Sequence, residues 1–263
     1  MMPASPLPAA TPPEPPMSEL LFYERVVALN EQKHANLRVK PIVRFGFARE
    51  ANSVPILGAE FGECAREYPI VFTSGSGTLV PAVLLGLRER ENLFVGADGK
   101  WDGRYVPAFI RRYPFAPGKD AEGQLLVCID EAAECFDTAQ GEPLFAEGKP
   151  TKQLDHALNF MREFQQGAAA TEALGARLES LGVLRDADSI AQLNDGTRFR
   201  LTGLRVVDEN KLRALTPDVI HQLFMDGALG LIHAHLISLG NLVRLVNRLD
   251  MKAAANATKG TRH

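Results

Sequence analysis

The chain has 263 residues, 46% hydrophobic and 23% charged, with a formal net charge of −3, so it can bury a core in one large domain or two small ones without staples. That near-neutral balance, with no Lys/Arg cluster, excludes a nucleic-acid binder, which carries a basic stripe. Three cysteines and no Cys-x-x-Cys pair exclude a disulfide framework and point to a reducing compartment, with each thiol read as a small buried side chain.

The opening MMPASPLPAATPPEPP has neither the basic region nor the continuous apolar run of an export signal, so a cytoplasmic location is expected. Its prolines make residues 1–17 a disordered leader, and Met17 offers a second start. Residues 20–29 read as extended, and Asn30 as the cap of a short helix over 31–37. Residues 41–47, PIVRFGF, read as a strand. Leu57, Phe61, Cys64 and Ala65 sit at helical spacing within 57–68.

The most motif-like stretch is TSGSGT at 73–78. A dinucleotide fingerprint needs a third glycine where Val80 stands, and a phosphate loop needs a lysine that is not there. Ser76 lies between two adjacent-but-one glycines, the wrong frame for a nucleophile elbow. Flanked by apolar runs at 69–73 and 79–87, the stretch reads as the turn of a β-hairpin.

Residues 92–95 read as a strand, 105–112 as a short helix, and 124–130 (QLLVCID) as a buried strand that ends in Asp130, Glu131 and Glu134. Asp98 and Asp102 lack calcium-loop spacing and read as turn residues. Residues 151–181 read as two helices broken near 166–168, with Leu154, Leu158, Met161 and Phe164 on one face. Gly182 suits a C-terminal cap, and Asn194-Asp195-Gly196 a hairpin turn between strands at 189–193 and 197–207. Thr216-Pro217 starts a helix that runs to about Asp226. The longest helix is expected over 228–249; its histidines, arginines and asparagines make it buried or partner-facing rather than inserted in a membrane.

Carboxylates at a strand's end, Asp130 and Glu131, suit acid–base work or a solvated turn. Trp101 and Tyr105 with Arg111 and Arg112 suit recognition of a peptide or carboxylate, or arginine stems packed over aromatic rings. His233 and His235 point to opposite sides of a helix and lack the spacing of a two-histidine metal face. These eight residues form the candidate ligand or partner surface. No catalytic residue, metal or cofactor is assigned.

The stretches LFYERVVALNEQKHANLRVKP, NSVPILGAEF, EYPIVF, LLGLRERENLFV, GKWDGRYVPAFIRRYPF, LLVCIDE, GEPLF and LTGLRVVDENKLRALTPDVIHQLFMDGALGLIHAHLISLGNL follow in order across 20–245. Together they resemble the SapC family. The leader lies outside the resemblance, and His233 stands where an aromatic such as tyrosine is expected. The resemblance implies a bacterial protein associated by name with surface layers, with relatives beside outer-membrane uptake receptors and flavin- or cupin-type enzymes. It carries no catalytic residue over to this chain.

The expected fold class is α+β: a β-rich part over 18–145 with short helices, a mostly helical part over 146–250 with one hairpin, and a tail over 251–263. The leading functional expectation is a non-catalytic accessory or binding protein with a protein partner, no nucleic acid, and a homodimer contact through the C-terminal helix. The alternatives are an enzyme acting on a peptide or small metabolite, and a structural surface-layer component.

Overall fold

The computed structural model describes residues 21–75, 78–119, 125–187, 189–192, 196 and 198–260. With about 40% helix, 23% strand and several small sheets, it is an α+β protein, as the sequence predicts. The helices, in chain order, are α1 (Glu31–His34), α2 (Phe61–Cys64), α3 (Ala108–Arg111), α4 (Lys152–Ser180), α5 (Glu209–Arg213), α6 (Pro217–Met225), α7 (Ala228–Ser238) and α8 (Asn241–Gly260). Contacts gather the chain into two units, one of residues 1–41 and 112–162, the other of 42–111 and 163–263.

In the first unit, the buried-type strand is Leu125–Asp130. It lies between Val26–Ala28 and Phe115–Lys119 in an antiparallel sheet, with Val26 opposite Asp130 and Phe115 opposite Ile129. A second sheet sets Arg38–Val39 between Phe136–Asp137 and Glu142–Pro143. Asn30 caps α1 as expected, its side chain accepting the Lys33 N–H. Leu154 and Met161 on α4 close a core with Val39, Phe115, Ile129 and Leu144, and Leu158 packs against it. Three of the four positions read as one apolar face thus share this core, because they recur each turn or two of one helix, while Phe164 meets Phe109 in the second unit.

The second unit is built on a five-stranded antiparallel sheet, in the order Leu184–Asp186, Leu204–Val207, Ile70–Gly75, Thr78–Leu84, Ser53–Pro55. Ile70–Gly75 and Thr78–Leu84 pair from Ile70 opposite Val83 to Gly75 opposite Thr78. The TSGSGT stretch is thus the end of a hairpin, and the tip residues 76–77 lie outside the described residues. Buried Phe61, Tyr68, Ile70, Phe72, Leu85, Ile110 and Leu178 fill this unit's core.

Several local expectations are corrected. Residues 41–47 form no strand: the Phe45 N–H bonds the Gly99 carbonyl (2.7 Å), its ring meets Trp101 edge-on, and a 3-10 turn over Gly46–Ala48 follows. At 92–95 the Asn92 side chain takes the local backbone bonds, donating to the Ala48 carbonyl and accepting the Phe94 N–H, so only a Val95–Trp101 bridge remains. In 57–68 the helix is short, with a 3-10 turn over Gly58–Glu60 leading into α2. Gly203, at φ +73°, splits 197–207, so Arg198–Leu201 pairs with Ser189–Gln192 while Leu204–Val207 joins the large sheet. The turn residues 193–195 and 197 lie outside the described residues.

Two helix expectations also change. α4 runs unbroken through 166–168 and is the longest helix. Its glycines serve close approach instead of a break: a Cβ on Gly175 would stand 2.1 Å from the Leu79 carbonyl oxygen, and one on Gly167 3.0 Å from Leu57 Cδ1. Residues 228–249 split into α7 and α8 at Leu239–Gly240. The run Ala228–Ala254 is long and apolar enough, by composition, to cross a membrane. Among its polar residues, His235, Ser238 and Asn241 nevertheless bond backbone groups of other elements.

Candidate functional site

In the first unit the two strand-end acids serve backbone and helix. Asp130, 1% exposed, accepts the N–H groups of Glu24 (3.0 Å), Arg25 (2.9 Å) and Ala132 (3.1 Å). It thereby fixes the entry of Val26–Ala28 onto its own strand. Glu131 gathers Lys33 Nζ (2.7 Å), His34 Nε2 (3.0 Å) and Arg25 Nε (3.2 Å). Lys33, then His34, hold its carboxyl below the ordinary range.

His34, which no neighbour in the sequence marks, is the buried member of this cluster. Its Nδ1 accepts the Asn30 backbone N–H (2.9 Å), so Nε2 carries the proton given to Glu131. A histidine with an orienting carboxylate resembles a general base. Here the nitrogen that would take a proton is already engaged with the helix N-terminus. The available signal was the i, i+4 spacing of Asn30 and His34 across a capped turn. Arg112, 2% exposed, lays its guanidinium 6.0 Å from the centre of the Tyr23 ring, whose hydroxyl donates to the Phe115 carbonyl (2.7 Å). This is the arginine-over-aromatic packing that the sequence offered as one alternative.

The second unit brings Trp101, Tyr105 and Arg111 together around a hub that sequence reading missed, Glu60. Trp101 Nε1 donates to the Tyr68 hydroxyl and the Tyr105 carbonyl (both 3.1 Å), and Tyr68 donates to that same carbonyl. The Tyr105 hydroxyl donates to Glu60 Oε1 (2.8 Å) and accepts from Arg111 Nη2 (3.1 Å). Arg111 also caps the Val106 carbonyl and rests over the Tyr105 ring. Glu60, 4% exposed, takes the Ala108 N–H (2.7 Å) and the Leu57 N–H (2.8 Å) as well. Burial, then the Glu60 charge, push the Tyr105 phenol up, which keeps it a neutral donor. The signal for Glu60 was its place three residues after Leu57 and four before Cys64, on the apolar side of the turn.

The two histidines of α7 part as their spacing predicts. His233 is exposed and its Nδ1 bonds the Leu229 carbonyl one turn back (2.7 Å). His235 is fully buried, with Nε2 accepting the Val207 N–H (3.0 Å) and Nδ1 donating to the Ile70 carbonyl (2.9 Å). Burial lowers its pKa to about 4, so it is neutral at neutral pH. Burial also raises the thiols of Cys64, Cys128 and Cys135, the last to about 11, which withholds the nucleophilic thiolate. Among the described residues no group of three or more His, Cys, Asp or Glu side chains is placed to hold a metal.

A cleft of about 350 Å³ opens beside α8, lined by Glu67, Phe94, Asp102, Arg244, Asn247, Arg248 and Met251. On the helices of the same unit, Phe224 (68% exposed), Met225 (68%), Ile237 (74%) and Val243 (65%) stand in solvent.

No curated protein and no solved structure matches the chain. The SapC family model matches residues 29–245, the span that holds the strand-end acids, the Glu60 network and His235. On that match the chain belongs to the SapC family.

Proposed function

We propose that this SapC-family chain is a non-catalytic binding protein that serves surface-layer or outer-membrane uptake machinery from the cytoplasm, through a protein partner. One observation carries the reading: four large apolar side chains, Phe224, Met225, Ile237 and Val243, stand exposed on three successive helices. Large apolar groups left in solvent on successive helices are candidates for a contact surface. The groups that would perform acid–base chemistry support it too, since Asp130, Glu131, His34, Glu60 and His235 are each engaged in holding backbone or helix ends.

The test is capture of the tagged protein from its native bacterium, with quantitative mass spectrometry, beside a Phe224→Glu/Ile237→Glu variant. The reading expects one near-stoichiometric protein on the wild type, belonging to the envelope or its uptake systems, and its loss from the variant. A protein that comes down alone, or a partner kept by the variant, overturns it. A symmetric self-contact through the C-terminal helices would show as a dimer in analytical ultracentrifugation that the variant abolishes.

A further inference from the structure

The cleft beside α8 carries charge in an unequal way. Arg248 is spoken for: Nη1 donates to Asp102 Oδ2 (2.6 Å), Nη2 to the Asp102 carbonyl (2.8 Å), and the guanidinium lies 4.2 Å from the centre of the Phe94 ring. Phe94 is backed in turn by Trp101, stacked at 5.9 Å. The wall made by Asp102, Arg248 and Phe94 is therefore fixed and charge-balanced.

Arg244 and Glu67 differ from that pair. Arg244, one helical turn before Arg248, donates Nη1 to the Arg66 carbonyl (3.0 Å) and meets no carboxylate among the described residues. Glu67, the next residue after Arg66, uses Oε2 to accept the Arg104 (2.7 Å) and Tyr105 (3.2 Å) N–H groups and meets no cationic side chain among the described residues. One cation and one anion thus face the same cleft without pairing with each other. Asn247 adds an amide, and exposed Met251 an apolar surface. About 350 Å³ is at the small end of the range for ligand clefts.

We propose that this cleft binds a small zwitterion of the α-amino-acid class with an apolar side chain. The ligand carboxylate pairs with Arg244 and the Asn247 amide, the ammonium with Glu67, and the side chain lies along Met251. A guanidinium offers the planar fork that suits a carboxylate, and a free carboxylate oxygen suits an ammonium. The Phe224→Glu/Ile237→Glu variant that tests the partner reading changes none of the residues lining this cleft, so each is tested without the other.

Isothermal titration of the purified full chain decides it. The probes are L-leucine and L-phenylalanine, with isoamylamine and isocaproate as leucine lacking its carboxylate or its amine. The expected result is saturable binding of at least one amino acid. Either leucine fragment should bind roughly tenfold or more weakly, the scale of a lost charge-assisted hydrogen bond. Arg244→Gln and Glu67→Gln should each weaken the amino acid by a similar factor, and Glu67→Gln keeps an acceptor for the Arg104 and Tyr105 amides. Circular dichroism checks that the variants are folded, and the fragment panel on the unaltered chain decides alone if they are not. No saturable binding of either amino acid, equal binding of isocaproate, or undiminished binding by folded Arg244→Gln overturns the site.

Discussion

His235 shows how one residue joins separated parts of a sheet. The strands Ile70–Gly75 and Leu204–Val207 pair only at Thr73–Leu204 and Phe72–Arg205. Beyond that they part, and the imidazole bridges the Val207 N–H to the Ile70 carbonyl. Ser238 accepts the Ile70 N–H (2.9 Å), and Asn241 donates to the carbonyls of Ala65 and Tyr68. The polar residues that interrupt the apolar run are thus the partners of backbone groups that would otherwise be buried unpaired. Sequence spacing separated His233 from His235 correctly. It could not supply the function of His235, because the two strands that it bridges lie 28 and 165 residues away in the chain.

A titration follows from this geometry. The folded pKa of His235 is lowered from 6.5 to about 4, so below pH 6.5 the unfolded chain takes up a proton that the folded chain refuses. The stability contributed is complete above the unfolded value and is lost as pH falls toward the folded one. Between about pH 7 and about pH 5, above the carboxylate range, the loss should be about 2 kcal/mol. Urea denaturation at both pH values checks it. His235→Gln should be less stable at about pH 7, by roughly 1–3 kcal/mol for a buried group left unpaired. It should also show little of the wild-type decline toward about pH 5. A variant that declines as steeply as the wild type would remove His235 as the cause.

At the scale of elements, α4 separates what periodicity can reveal from what it cannot. The stripe of Leu154, Leu158 and Met161 was readable because burial on one side of a helix repeats with its turn. The break expected near Gly167 was not found, because a glycine costs a helix only about 1 kcal/mol and tertiary packing on both sides of it carries the helix through. The same limit applies to PIVRFGF, whose β-forming composition is overridden by packing of Phe45 on Trp101. The two α4 glycines therefore predict opposite outcomes. Gly175→Ala puts a methyl 2.1 Å from the Leu79 carbonyl, a backbone atom, and should lose roughly 1–3 kcal/mol despite alanine's better helix propensity. Gly167→Ala meets only the end of the Leu57 side chain at 3.0 Å, which can turn aside, so it should be neutral or gain up to about 1 kcal/mol. Denaturant midpoints of the two variants test the contrast, and equal losses would refute it.

Across the whole molecule, each unit is assembled from two separated stretches of chain, and this shapes what a sequence can disclose. A composition shift marks a boundary between continuous segments. It cannot mark a unit whose strands come from residues 26–39 and 115–150 with another unit's residues between them. Arg111 and Arg112 are neighbours in sequence, yet one caps Val106 beside Tyr105 in the second unit and the other packs on Tyr23 in the first. Adjacency therefore suggested a common surface for two side chains with separate structural tasks. The division makes a strong prediction for a chain lacking residues 1–41. The first unit loses Val26–Ala28, which Asp130 secures, and Arg38–Val39, the middle strand of its second sheet. The large sheet of the second unit keeps all five of its strands, which lie at 53–55, 70–75, 78–84, 184–186 and 204–207. In hydrogen exchange, amides of 115–119 and 125–130 should lose their protection, while those of 70–75 and 78–84 keep it within about tenfold. Equal loss in both sheets would mean that the two units unfold as one cooperative body.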